Sequence, residues 1–343
     1  METDLVFEYL NPFSNNKLSK ISGEDLQDII ILINNYYLRL RKTLDLDENI
    51  TFGTEIESEH AKEEKIKKEL KKIDLYNHWR IKEDSSLDDG IEITSPILTD
   101  TIYTWSDLES VCQALSKYSR IGPNSGGHIH FGTQTLGDKK EYWLNFIKLW
   151  SVYENIIFRF TYGDYVTSRP SLKKYSKPIS SYLWHDYETL KKSNASLEEI
   201  IHRISRSRYQ AVNFNNVETL KCTEIARANT IEFRCPNGSL NEIIWQNNIN
   251  LFAKMLASSK SNNLDDDIIS KRHKQNSQNY QSLDLYDEIY LEEALEFCDI
   301  IFQNNLDKIY FLRQYLKAFQ VPREKEKFVK SRELTKKAKG LLK

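Results

Sequence analysis

Two histidines stand two residues apart, His128 and His130, directly after a glycine pair in Gly126-Gly-His-Ile-His-Phe-Gly132. A strand alternates its faces with period two, so both imidazoles point the same way while Phe131 packs on the other side. The glycines permit a tight turn and let a ligand approach the backbone closely. Read alone, the segment is a half-buried strand whose histidines find ordinary hydrogen-bond partners. The constraint tightens because the chain repeats the device.

Gly53-Thr-Glu-Ile-Glu57 puts Glu55 and Glu57 on one strand face, about 7 Å apart along it, with Ile56 toward a core. Two carboxylates aimed at one place repel each other unless a cation lies between them, and oxygen ligands suit Mg²⁺ or Mn²⁺ better than zinc. Thr230-Ile-Glu-Phe-Arg-Cys-Pro236 sets Glu232 and Arg234 on one face and Ile231 and Phe233 on the other. The turn signal Cys235-Pro-Asn-Gly-Ser239 then places Arg234 near the mouth of its strand. Gly90-Ile-Glu-Ile-Thr-Ser-Pro96 adds Glu92 between two isoleucines. Singly, each is a solvated sheet face or a surface ion pair of small value. Jointly they predict an α+β fold: a curved, mostly antiparallel sheet whose concave face holds divalent metals and phosphate, with helices on the convex face.

Helical periodicity predicts helices over Ser22–Arg41, Trp105–Tyr118 (N-cap Ser106), the aromatic stripe Asp138–Phe160, Leu240–Leu256, Tyr286–Phe302 and Leu306–Phe319. Ser196-x-x-Glu199 is a capping box opening a helix that ends near Ser207. Strands are expected over Ile50–Glu57, Tyr76–Lys82, Gly90–Thr94, Tyr209–Asn215 and Asn229–Arg234. Glu59–Lys72 is so rich in charge that it reads as a solvated helix or a mobile insertion. Tyr162–Tyr182, with two prolines and several tyrosines, reads as a long loop suited to closing as a lid. The resulting division is an N-terminal helical segment (1–44), a catalytic domain (45–257), a polar linker with C-terminal helices packing on it (258–322), and a flexible basic tail (323–343).

The 343 residues, 40% hydrophobic with 19 Tyr, 15 Phe and 6 Trp, suffice for a sizeable core. A net charge of −2 provides no polycation for nucleic acid or membrane. Four scattered cysteines without Cys-x-x-Cys fit a reducing compartment, and no apolar run approaches the ~20 residues of a membrane helix. The N-terminal Met-Glu-Thr-Asp lacks the basic and apolar regions of a signal peptide, so a cytoplasmic protein is expected.

In this order, Gly53-Thr-Glu-Ile-Glu57, Gly90-Ile-Glu-Ile-Thr-Ser-Pro96, Gly126-Gly-His-Ile-His130 and Thr230-Ile-Glu-Phe-Arg234 resemble the amidoligase family. That family is similar in fold to glutamine synthetase and glutamate–cysteine ligase. Asn237-Gly-Ser-Leu-Asn241 and the Tyr209–Asn213 segment fit too, and the resemblance runs from about Phe52 to Leu256. It implies an ATP-dependent carboxylate–amine ligase working through an acyl phosphate, with ATP and Mg²⁺ (or Mn²⁺) as cofactors. Its partners would be a carboxylate substrate (peptide, amino acid or cell-wall-like) and an amine or ammonia donor.

Carried over by motif, Glu55 and Glu57 would favour different metal ions, Glu92 completing one shell and His128 with Glu232 the other. His130 would lie near the nucleotide phosphates, and Arg234 would steady the transferring phosphoryl group, a task its planar donors suit. Glu232 and Glu57 join Arg234 in the catalytic set. Arg208, from its position alone, is a further phosphate candidate. Two departures stand out: Ser85 and Ser86 where a glycine is expected, and the Glu59–Lys72 insertion beside the metal-binding strand. A metal-dependent hydrolase and a catalytically retired binding protein are the competing readings, since His-x-His with carboxylates can also hold Zn²⁺.

Overall fold

Strand pairing in the computed structural model, which describes residues 17–21, 23–226, 228–261, 264–276 and 289–317, follows the alternation just read. β1 (Phe52–Ser58), β2 (Arg80–Glu83), β3 (Ile91–Thr94), β4 (Gly127–Gly132), β5 (Val212–Asn213) and β6 (Thr230–Phe233) form one six-stranded sheet in the order β2-β3-β1-β4-β6-β5. Every strand pairing in it is antiparallel.

Register decides what shares a face, because a slip of one residue would send every side chain to the other side. Glu55 stands opposite His128, Glu57 opposite Glu92, and Gly53 opposite His130. His130 in turn pairs with Glu232, and Glu232 with Asn213. On the other face Phe52, Ile56, Ile93, Ile129, Phe131, Val212, Ile231 and Phe233 are all buried. Withdrawing each such side chain from water contributes about 1.5–3 kcal/mol.

Three helices cover that apolar face with aromatic rings. Trp105 of α3 (Ile102–Tyr118) stacks on Phe52 with ring centroids 5.5 Å apart. Phe146 and Trp150 of α4 (Lys140–Thr161) and Phe252 of α7 (Glu242–Ser259) gather around Phe233, Phe252 at 4.0 Å. The aromatic stripe of α4 is core, and the helix bends at Tyr153, where φ is −112° and ψ 18°.

Several boundaries differ from the sequence-based expectation for identifiable reasons. α1 covers only Gly23–Asn35. The chain beyond it is pinned instead by Tyr310, whose hydroxyl bonds both the N–H and C=O of Arg39, and by the Arg41–Asp307 ion pair. α2 (Glu63–Lys72) is the helix of the two alternatives, solvated on one face only: Ile66 and Leu70, one turn apart, are fully buried against α3. α3 starts a turn earlier than expected, its N-cap being Thr101 rather than Ser106. The capping box at Ser196 and Glu199 is present and opens α6 (Leu197–Ile204).

Within the segment read as a polar linker lies α8 (Asp266–Asn276), held by Arg272 reaching Glu292 and Glu296. α9 (Leu291–Ile301) and α10 (Asn305–Tyr315) follow, and one continuous hydrophobic core runs from Leu18 to Leu316. A further helix, α5 (Ser180–Ser193), occupies a stretch for which the sequence predicts none. The basic tail from Arg323 lies outside the described residues. Among the described residues, no helix is long and apolar enough to cross a membrane.

Candidate active site and metal centre

The polar face of the sheet gathers Glu55, Glu57, Glu92, His128, His130, Glu232 and Arg234. His128 is the hub. Its Nδ1 lies 2.8 Å from Glu55 Oε2 and 3.6 Å from Glu232 Oε1, while its Nε2 faces Glu57 Oε1 at 3.5 Å. The imidazole therefore sits between two carboxylate groups, Glu55 with Glu232 on one side and Glu57 with Glu92 on the other. In each group, with His128, one ligand atom per residue falls within 4.8 Å of the rest. Glu59, His60 and Asp88 form a third such group, with Asp88 exposed.

Each carboxylate is held from outside. Glu57 Oε2 accepts the Gly126 N–H at 2.6 Å, and Glu232 Oε2 accepts the Asn213 amide at 2.7 Å. Glu232 Oε1 pairs with the Arg234 guanidinium, whose Nε donates to the Tyr175 carbonyl at 3.2 Å. Glu92 takes Lys82 at 3.2 Å and the Thr94 hydroxyl at 3.1 Å. His130 reaches Glu55 Oε1 at 3.3 Å with Nε2 and the Thr230 hydroxyl at 3.2 Å with Nδ1. The glycine pair before His128 is packed too tightly for a side chain. A Cβ on Gly126 would come 2.9 Å from the Arg169 guanidinium carbon, and one on Gly127 2.6 Å from the Trp245 ring.

Burial by itself raises the Glu55 pKa, but the hydrogen bonds and charges of His128 and His130 outweigh it and hold the carboxyl well below its ordinary range. Burial likewise works against the charged form of Glu232, and His128, His130 and Arg234 overcome it, leaving the pKa lowered. Glu92 goes the other way: burial and the Glu55 charge push it up, with Lys82 offsetting only part. Burial disfavours the His128 imidazolium, yet the Glu55 bond and the Glu57 charge prevail and raise its pKa. Four carboxylates around one imidazole, with Glu92 driven up by burial and by the neighbouring Glu55 charge, are a donor set that fits hard divalent cations such as Mg²⁺ or Mn²⁺.

Two cavities border this cluster. One, about 240 Å³, is lined by Glu55, His130, Lys82, Gly53 and Pro96. The other, about 360 Å³, is lined by Glu57, His128, Arg169, Arg208, Arg234 and Tyr175. A larger open groove of about 830 Å³ along α6 shares none of these residues. The structure thus brings together every side chain singled out in the sequence, with Arg208 at the exposed edge of the second cavity. Sequence reasoning missed Arg169, Asn213 and the Tyr175 carbonyl; in Arg169 the only local signal was a cation within a polar loop.

A family model described as "Putative amidoligase enzyme" matches residues 41–256. The chain belongs to the amidoligase family. All six strands of this amidoligase and every residue of the cluster fall inside the match. No curated protein matches the sequence. Among solved structures, one described as "Crystal structure of novel glutamine synthase homolog" is similar at 9% identity with a TM-score of 0.37, covering 77% of this chain and 65% of that one. The amidoligase chain therefore spans slightly less than two thirds of that relative's length.

Proposed function

We infer that this amidoligase joins a carboxylate to an amine with cleavage of ATP to ADP and phosphate. The observation that carries the reading is the carboxylate–imidazole cluster set between two cavities, one of them lined by three arginines. Glu55 with Glu232, and Glu57 with Glu92, would hold divalent cations, His128 serving at their border. A cation bound there supplies neutralisation of phosphate charge and of the reacting oxygens.

The side chains have separable tasks. His130, on the smaller cavity beside Glu55, binds nucleotide phosphates. Arg234, oriented by Glu232 and by the Tyr175 carbonyl, presents its planar donors to the phosphoryl group as charge develops on it. Arg208 offers a second, more exposed cation at the same cavity. A substrate carboxylate oxygen attacks the γ-phosphorus and ADP departs. The amine then attacks the acyl carbon, phosphate leaves with the C–O electron pair, and the departing phosphate takes up the proton that nitrogen loses. A sheet curved around both ligands would shield the acyl phosphate from water, and a reducing cytoplasm is the compartment proposed.

Hydroxylamine tests this directly, because it replaces the amine and traps an acyl phosphate as a hydroxamate. With Mg²⁺, ATP and a panel of amino acids, peptides and cell-wall-like carboxylates, the reading predicts hydroxamate formed one for one with ADP. Substrate cleavage independent of nucleotide would overturn it in favour of a hydrolase.

A further inference from the structure

The segment from Tyr162 to Tyr182 reads in the sequence as a loop free to close as a lid. In the structure it is packed along its length, with Tyr162, Tyr165, Val166, Arg169, Leu172 and Ile179 buried. Arg169 is only 3% exposed, and among the described residues no carboxylate lies within ion-pairing distance of it. Its guanidinium is committed to main chain instead. Nη1 donates to the Pro236 carbonyl and Nη2 to the Arg234 carbonyl at 3.1 Å, while its own N–H donates to Asn237 Oδ1 at 3.0 Å.

The same guanidinium lies against Gly126, where a Cβ would come within 2.9 Å of it. Gly126 is the residue whose N–H holds Glu57 at 2.6 Å. One planar fork therefore touches the chain leaving β6, which carries Arg234, and the chain entering β4, which orients Glu57. A lysine could not do this, since a single ammonium on a flexible stem lacks the fixed pair of donors that spans two carbonyls.

We propose that Arg169 is a positioning residue of the ligase site, fixing the main chain at Gly126 and Arg234 and through it the Glu57 carboxylate and the Arg234 guanidinium. The segment that carries it is then a fixed wall of the site. This rests on the metal-dependent reading above.

The experiment is a Mn²⁺ titration, followed by the resonance of free Mn²⁺, on wild type, R169A, R169K, G126A and R272A. Arg272 is a comparably buried arginine on α8, bound to Glu292 and Glu296 and absent from the sheet face. R169A and R272A should both lower the urea midpoint, but only R169A should weaken Mn²⁺ binding, by roughly 10-fold or more, the scale for removing a group that orients a ligand. R169K should stay weak, and G126A should weaken binding in the same way. Millimolar guanidinium should restore R169A toward wild type. If R169A does not fold, R169K and G126A carry the same comparison. Wild-type Mn²⁺ binding with unchanged binding in the Arg169 variants overturns this inference alone. Absence of Mn²⁺ binding by wild type overturns the metal-dependent reading and this inference with it.

Discussion

Glu55 and His128 stand directly opposite each other on neighbouring antiparallel strands, carboxylate to Nδ1 at 2.8 Å. In metal-free protein the pair couples folding to pH from both sides. Glu55 is depressed in the folded state, so its stabilisation is present above the unfolded value near 4.5 and is lost as pH falls toward the folded one. His128 is raised, so its stabilisation is full below the unfolded value near 6.5 and is lost as pH rises through the folded one. The excess stability of wild type over the E55Q/H128N double variant should peak between these two values. Urea unfolding in chelator from pH 4 to 9 measures it, and a difference independent of pH contradicts the pairing.

Glu232 and Arg234 share a strand face, and the proposed function gives them different tasks. E232Q keeps volume and removes a negative charge beside the proposed cation, so apparent Mg²⁺ affinity should fall and excess Mg²⁺ should partly restore the rate. R234K keeps the charge and loses the fork, so metal affinity should stay near wild type while turnover falls at least ~10²-fold. Hydroxamate formation against Mg²⁺ concentration separates the two. An identical metal response in both variants contradicts the division.

How much of this was legible turns on which interactions are local. That His128 and His130, Glu55 and Glu57, and Glu232 and Arg234 share faces follows from period-two alternation alone. That Glu55 stands opposite His128, with Gly53 opposite His130, depends on inter-strand register, which no single segment carries. α5 escaped prediction because its N-terminus is capped from a distance: Glu154 of α4 accepts the Ile179 and Ser180 N–H groups at 2.8 and 2.9 Å. Arg169 escaped because its partners are carbonyls 65 and 67 residues further along the chain. α8 is anchored by Arg272 and its glutamates with few apolar positions, so its periodicity is faint.

The distant cap can be tested by itself. Glu154 is fully buried and also accepts the Trp150 indole N–H at 2.7 Å. E154A leaves these donors without an acceptor and should cost about 3 kcal/mol or more in urea unfolding, since buried donors left unmade are each worth ~1–3 kcal/mol. A loss below 1 kcal/mol would mean that α5 is held by packing instead.

The motif glycines should differ in tolerance. Ala at Gly127 drives a methyl to 2.6 Å from the buried Trp245 ring, which is itself tied to the Ser239 carbonyl at 2.9 Å. G127A should therefore cost about 1–3 kcal/mol, the range for overpacking. At Gly53 the nearest side-chain atom would be 3.4 Å away, so G53A should be milder. Urea midpoints of the two variants compare them, and equal costs contradict the steric account.

The most direct test of the central claim is the anomalous scattering of Mn²⁺ in crystals of this amidoligase soaked with Mn²⁺ and a non-hydrolysable ATP analogue. The account predicts one peak bound by Glu55, His128 and Glu232 and a second bound by Glu57 and Glu92, with the analogue's phosphates on the same face and Arg234 turned toward them. Ordered nucleotide away from this face, or no Mn²⁺ on it at saturating concentration, would contradict the account.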